Sequence, residues 1–266
     1  MDALRAERAE AAYWATYARN IPTSDDTRDT GAVPVAGGYA ICLQGSSIEY
    51  GLGVGTSRPL REDDLRIVDE FYGSRGLPSQ LELHPLVAER DAALLSKWGY
   101  VPERSITMLE GDISTDPGRS DAFAIENLTS RKNEWIELVA AGMSDAVPAD
   151  ELDRLRRTTY VCASAASALV AVRVDGRLAG GGALGVTGDV AFLFCASTLP
   201  AFRRRGVHAA SVSARLALGR SRGATFALMT TPAGSDAVGS AQRVGLHPSY
   251  ERTRYRKRVG RRATRI

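Results

Sequence analysis

The sequence predicts an α/β protein, in the α+β sense, built from two similar domains in tandem. Each domain is expected to hold a mixed central sheet flanked by helices. Three observations carry that expectation. The chain has 266 residues, about twice the ~100–150 of a common domain. Apolar residues alternate along it between strand-like and helix-like spacing. Four chain breaks also recur in the same order: Gly76 and Gly223, and Pro85 and Pro232, lie 147 residues apart, while Gly99 and Gly245, and Pro102 and Pro248, lie 146 apart. Matching breaks between matching elements favour an internal duplication.

The elements follow in order. Residues 2–19 form an amphipathic helix with Leu4, Ala11, Ala15 and Ala18 along one side. Residues 22–36, rich in Pro, Thr, Asp and Gly, read as a loop. Residues 38–56 read as two strands around Gly45-Ser46-Ser47. Residues 60–74 place Leu65, Val68, Phe71 and Tyr72 on one helical face, and Gly76 closes that helix where a left-handed residue is cheap. A strand at Gln80–His84, a helix at Asp91–Trp98 ended by Gly99, and a strand at 103–109 complete the first half. The polar segment Gly111–Asp121 is the expected linker, dividing 1–115 from 116–266. The second half carries a helix around Trp135 and a strand at Val190–Thr198. A helix at about 206–221 follows, then a strand at Thr225–Thr230, a helix at Ser235–Val244, and a strand after Pro248.

Composition narrows the function classes. Hydrophobic residues are 44% and charged ones 24%, as in folded soluble proteins. No apolar run reaches the ~18–20 residues of a membrane span, and the first twenty residues lack the basic and apolar regions of a secretory signal. Cys42, Cys162 and Cys195 make no paired framework and have no metal-ligand spacing, so no metal is expected. These features set a cytoplasmic location as the expectation. The net charge of +3 is uneven. Residues 251–266 hold eight basic side chains and one acid, and the rest holds 26 basic and 30 acidic, a net of −4. Such a tail attracts polyphosphate, nucleic acid or an anionic membrane unless it is a solvated last strand with a frayed end.

The chemistry concentrates after the strand Val190–Thr198. Leu199-Pro200-Ala201-Phe202 leads into Arg203-Arg204-Arg205-Gly206-Val207-His208, and a helix continues through Ala209 and Val212. A helix N-terminus offers unpaired N–H groups and partial positive charge to a phosphate. Gly206 allows close backbone approach, and three arginines add charge.

This segment resembles the pyrophosphate-binding motif of the GCN5-related N-acetyltransferase (GNAT) superfamily, R/Q-x-x-G-x-G/A, with Pro200 and Phe202 where that family places a proline and an aromatic. His208 departs from the small final residue. Gly234-Ser235, Ser240 and Gln242-Arg243-Val244-Gly245-Leu246 resemble a tandem-domain branch of the family. FYGSRGLPSQLELHPL and LLSKWGY resemble that branch's degenerate N-terminal copy. The resemblance implies a splayed sheet in each domain, with the strands near Val190–Thr198 and Thr225–Thr230 parting to admit the pantetheine of acetyl-CoA or another acyl-CoA. Backbone groups of Cys195, Ala196, Ser197, Thr198 and Leu199 would pair with that arm. Residues 203–209, together with Ser235, would complete the donor site. The matching first-half stretch, Ser57–Asp64, is acidic, so a single donor site is expected.

The resemblance further implies direct attack of an amine on the thioester. An alkylamine of pKa ~10.4 is about 0.1% neutral near pH 7, a cost of roughly 4 kcal/mol that a base or desolvation must offset. The family's tyrosine acid falls at Ala241, leaving Ser240 and, second, Tyr250 as acids. Glu82, His84, Asp145 and Glu151 are the candidates for acceptor binding and base. Cys195 in an apolar strand reads as packing before it reads as a nucleophile. Three functions stay open: a coenzyme A-dependent acyltransferase, with acetyl the first choice, acting on a small amine; one whose acyl donor is carried by tRNA or a carrier protein held by the basic tail; and a non-catalytic acyl-CoA sensor.

Overall fold

The computed structural model describes residues 4–115 and 123–258. They form two compact units. The first takes the described residues of 1–44, 48–106 and 251–266, and the second those of 45–47 and 107–250.

In the first unit, helix α1 (Arg5–Asn20) buries Ala11, Ala15 and Ala18 of the expected face, together with Ala6 and Trp14, while Leu4 before it is half-buried. Strands β1 (Gly31–Val35), β2 (Gly38–Cys42), β3 (Glu49–Leu52), β4 (Gln80–Leu83) and the end of β11 (His247–Lys257) run in that spatial order. The sheet is mixed: β1–β2, β2–β3 and β4–β11 are antiparallel, and β3–β4 is parallel. Helices α2 (Glu62–Gly73), α3 (Pro85–Arg90) and α4 (Ala92–Lys97) flank it. Strand β1 corrects the loop expected over 22–36. Pro34 argued for a loop there, but β1 is the outermost strand of this order, where a missing N–H leaves no ladder bond unmade. The helix expected at Asp91–Trp98 is preceded by α3, which starts on Pro85 and is capped by His84, whose Nδ1 accepts from the Leu86 N–H at 3.1 Å.

In the second unit the order is β5 (Tyr100–Asp112), β10 (Phe226–Pro232), β9 (Val190–Thr198), β8 (Arg177–Thr187), β7 (Ala168–Val174) and β6 (Ala124–Asn127). Helices α5 (Lys132–Met143), α6 (Leu152–Ala165), α7 (Val207–Ser221) and α8 (Ala237–Gln242) flank this sheet. Trp135 on α5 is fully buried and donates its indole N–H to the Val170 carbonyl at 3.1 Å. The expected linker begins inside β5, and its residues 116–121 lie outside the described residues.

The repeat is visible as structure. The order α2, β4, α3/α4, β5 matches α7, β10, α8, β11. The paired glycines share a left-handed backbone: φ is 68° at Gly76 and 90° at Gly223, 79° at Gly99 and 91° at Gly245. In both repeats the last strand runs across a unit boundary, β5 at Thr107 and β11 at Glu251.

The first part of the basic tail, through Lys257, is the end of strand β11. Arg252 is fully buried, with Nε 2.7 Å from Glu7 Oε1 and Nη2 2.5 Å from Glu10 Oε2. Arg254 donates to Glu82 through Nε at 2.8 Å and through Nη2, and stacks on the Tyr50 ring. Arg256 faces Glu103 and Lys257 faces Asp69. Arg258 is exposed, and Arg261, Arg262 and Arg265 lie outside the described residues. Burial pushes the Glu82 carboxyl up, and the two arginines pull it back down. Removing one partner of such a network strands a buried charge, which costs roughly 3–5 kcal/mol, whereas apolar replacement of a whole pair is far milder. Glu82→Leu is therefore expected to lower the unfolding free energy by about that much in urea titration. The double variant Glu82→Leu/Arg254→Leu should recover a good part of the loss.

Candidate functional site

The second unit is opened by a break in its own sheet. Strands β9 and β10 run parallel and pair from Val190–Phe226 up to Leu193–Met229, where the pairing stops. Beyond that point Phe194–Thr198 and Thr230–Pro232 part. The other edge of β9 stays bonded to β8, with Gly181 opposite Ser197 and Gly180 opposite Thr198. Between Phe194 and Ser197 the β8 register slips by one residue, and Cys195 takes the left-handed φ of 47°. A bulge of this kind turns backbone groups out of the ladder. Beyond that rung β9 and β10 no longer serve as each other's ladder partner, which opens the sheet to an extended ligand. A cleft of about 1440 Å³ occupies the gap.

Helix α7 begins at the mouth of that cleft. Its N-cap is Gly206 at φ 85°, with no side-chain cap. An added Cβ at Gly206 would meet nothing closer than the Phe123 ring at 3.7 Å, so the backbone angle, not space, selects glycine here. The first-turn N–H groups of Val207, His208 and Ala209 have no intrahelical acceptor and carry the positive end of a 15-residue helix. The matching helix in the first unit differs. At the start of α2 the Asp64 carboxylate accepts the Arg61 N–H at 2.8 Å and is clamped by Arg58 at 2.7 and 2.8 Å. That helix end has satisfied itself.

The three loop arginines do different jobs. Arg203 was expected to bind the donor, but its hydrogen bonds are spent inside the protein. It grips Asp145 at 2.6 and 2.7 Å, the Gly142 carbonyl at 3.0 Å and the Thr198 carbonyl at 3.2 Å. It thus pins the end of α5 to the end of β9 and holds the loop in place. The same contact corrects the reading of Asp145 as a base: the hydrogen bond from Arg203 holds its carboxyl below the usual range, which makes it a weak one. Arg205 lies beside Phe202 and 3.4 Å from Asp175. Arg204, at φ 60°, is exposed and lines the cleft.

Of the expected residues, Cys195–Thr198, Arg203, Arg204, Gly206–His208, Ser235 and Ser240 line the cleft. Ser197 turns its hydroxyl away, donating to the Val139 carbonyl at 2.9 Å, so only its backbone is left for a ligand. Ser240 on α8 accepts a hydrogen bond from Arg243 Nη2 at 3.1 Å, which leaves its own proton to donate. Cys195 packs with the apolar cluster around Trp135 and Leu138. A hydrogen bond with Cys195, reinforced by burial, pushes the Cys162 thiol well up. Leu199, Ala209, Tyr250 and Glu151 do not line the cleft. Glu82 and His84 belong to the first unit, one committed to Arg254 and the other to capping α3.

Sequence reasoning missed Arg215, which also lines the cleft. Its signal was its spacing: it follows His208 by seven residues and so shares a face of α7. His208 is itself unusual. Burial, with Arg215 and Arg243 nearby, lowers its pKa to about 4, and its Nδ1 is buried with no partner. The side chain that replaces the small motif residue is thus a neutral imidazole at physiological pH.

No protein-family model matches the chain, and no curated protein matches its sequence. Solved structures do match its fold. A GCN5-related N-acetyltransferase from Kribbella flavida aligns over 96% of both chains with 15% identity and a TM-score of 0.64. A tandem GNAT protein from the clavulanic acid biosynthesis pathway aligns over 96% of this chain and 95% of its own, with 13% identity and a TM-score of 0.58. A GCN5-related N-acetyltransferase from Sphaerobacter thermophilus aligns over 78% of this chain and 71% of its own, with 16% identity and a TM-score of 0.55. The chain has the GNAT fold in tandem, each copy a mixed sheet flanked by helices.

The lowered pKa of His208 has a stability consequence. In the unfolded chain an ordinary histidine takes up a proton below pH 6.5, whereas folded His208 resists until about 4. The unfolded state binds more protons in that window, so stability falls as pH drops from 6.5 toward 4, by about 3 kcal/mol from this residue. Urea unfolding at a series of pH values should show that slope in the parent protein and a shallower one in His208→Gln.

Proposed function

We propose that the second unit is an acyltransferase that moves an acyl group from a coenzyme A thioester to an amine of a small-molecule acceptor. One observation carries the reading: β9 parts from β10, and α7 starts with uncapped N–H groups at the open end of the gap so formed. The gap lies between two strand edges that have stopped pairing with each other, which suits an extended, amide-bearing arm such as pantetheine. The helix start suits the diphosphate at the far end of that arm. Arg204 adds a cation at the same mouth. On this reading Arg203 positions the phosphate loop and does not touch the donor.

The reaction asks for a neutral amine, an aligned carbonyl and a place for charge on the departing sulfur. Attack forms the C–N bond and breaks the C–S bond, and the proton shed by the amine ends on the thiolate or on solvent. Holding donor and acceptor in line can supply several kcal/mol of the barrier. On this reading Ser240, which lines the cleft and accepts from Arg243 while keeping its own proton, gives the hydrogen bond to the sulfur. We assign no protein base. Asp145 is tied to Arg203, and Glu151 is exposed and outside the cleft.

The reading with a tRNA- or carrier-protein-bound donor drew on the basic tail. Arg252, Arg254, Arg256 and Lys257 face carboxylates of the first unit, so those four cations give it little support. The sensor reading is separated by turnover against a panel of amines, where binding without product would favour it.

Calorimetry with coenzyme A tests the donor site. The parent protein is expected to bind it. Arg204→Glu should weaken binding about tenfold, the worth of one charge-assisted contact. Gly206→Val should weaken it at least as much, because a β-branched residue resists the left-handed angle. No binding by the parent protein would remove the proposal.

A further inference from the structure

Arg215 is a buried cation without an anion. It is 1% exposed. Its Nε donates to the Ser211 carbonyl at 3.1 Å and its Nη1 to the Ala183 carbonyl at 3.2 Å. Its Nη2 has no partner, and no carboxylate pairs with it among the described residues. Burial lowers its pKa to about 10, so it stays charged at neutral pH. A guanidinium kept in this state is costly unless something negative reaches it.

Its place in the fold says what could. The guanidinium lies flat on Gly182, where an added Cβ would come within 2.6 Å of its Cζ. Gly182 faces the β9 bulge, between the Gly181–Ser197 and Ala183–Phe194 pairs. Arg215 therefore lies against β8 at the level of the β9 bulge, just past the last β9–β10 rung and so level with the closed apex of the gap, and it lines the cleft. It lies eight residues along α7 from Val207, about 12 Å down the helix axis. The same helix thus offers amides at the mouth and a cation at the apex. Two more polar atoms on this face, His208 Nδ1 and Ser211 Oγ, are also buried without partners. Residues 208, 211 and 215 share one face by their spacing, so α7 turns a polar stripe inward between apolar Val212 and Leu216.

We infer that the donor's acyl group ends in a carboxylate, which Arg215 receives at the apex of the gap. The substrate class is the coenzyme A thioester of a short dicarboxylic acid, rather than the acetyl thioester that the fold's commonest use would suggest. This rests on the donor reading above: a diphosphate at the helix start puts the acyl end of the arm at the apex. An acetyl methyl there would leave Nη2 unpaired, whereas a carboxylate would satisfy it with a charge-assisted bond.

Calorimetry on the full chain tests this with four probes: coenzyme A, acetyl-CoA, malonyl-CoA and succinyl-CoA. The parent protein is expected to bind malonyl-CoA or succinyl-CoA at least about tenfold more tightly than acetyl-CoA, the worth of one charged hydrogen bond. Arg215→Met keeps the side-chain volume and should bring that ratio to about one while acetyl-CoA still binds, which also shows that the variant folds. Arg215→Lys keeps the charge but not the fork, and should retain part of the preference. Equal affinity for acetyl and dicarboxylic thioesters in the parent protein would overturn the inference. That is also the result expected if Arg215 instead met a carboxylate of the acceptor. An equal loss for all thioesters in Arg215→Met would overturn it too, by assigning Arg215 to their shared part. Failure of coenzyme A itself to bind would overturn the donor reading, and the inference with it.

Discussion

Everything in the second unit follows from two parallel strands that stop pairing halfway. A sheet interior is the most costly place in a fold to leave backbone groups without partners, since water reaches them poorly. Here Leu193 and Met229 form the last rung, and the strands diverge from it. The bulge at Cys195 and the loop from Pro200 to Gly206 work with that divergence, one turning backbone groups outward and the other setting a helix start at the open end. The Arg203–Asp145 clamp, with the Arg203 bonds to the Gly142 and Thr198 carbonyls, ties the end of α5 to the end of β9 beside the gap. Stability has been given up along one strand edge, and the surrounding contacts restore it.

Electrostatic division of labour is the second theme. The chain uses arginine far more than lysine, and its arginines are not equivalent. Arg252 and Arg254 are buried with carboxylates, Arg203 braces a loop, Arg204 lines the cleft, and Arg215 is buried alone. Composition cannot separate these roles, because each depends on whether an acid from a distant segment arrives. Glu7 and Glu10, more than two hundred residues away in sequence, decide the state of Arg252.

That is also where reading the sequence succeeded and where it fell short. Helices and strands with strong periodicity, such as 190–198 and the helix after Gly206, were legible to within a residue or two, since local spacing suffices for them. The repeat was legible because glycines at left-handed positions cannot easily be replaced. Strand β1 was not, because Pro34 speaks against a strand until its edge position is known. Among site residues, backbone groups of β9 and the α7 start could be named from pattern alone. The partners of Asp145 and Glu82, Arg203 and Arg254, could not be named, because a carboxylate's pairing depends on distant segments. Arg215 went unnoticed because a single arginine in an apolar helix looks like a surface residue until the other face is seen.

The ion pairs of the last strand have a bearing on how the protein comes into being. Arg252 and Glu7 are separated by 245 positions, nearly the whole chain. During synthesis the opening segments must therefore wait, with Glu7 already buried against nothing or still in water, until the final strand leaves the ribosome. Contacts of such long span slow folding and prolong exposure of unfinished sheet edges. A ribosome stalled short of residue 252 would release a product whose beginning, not merely its end, is unfinished.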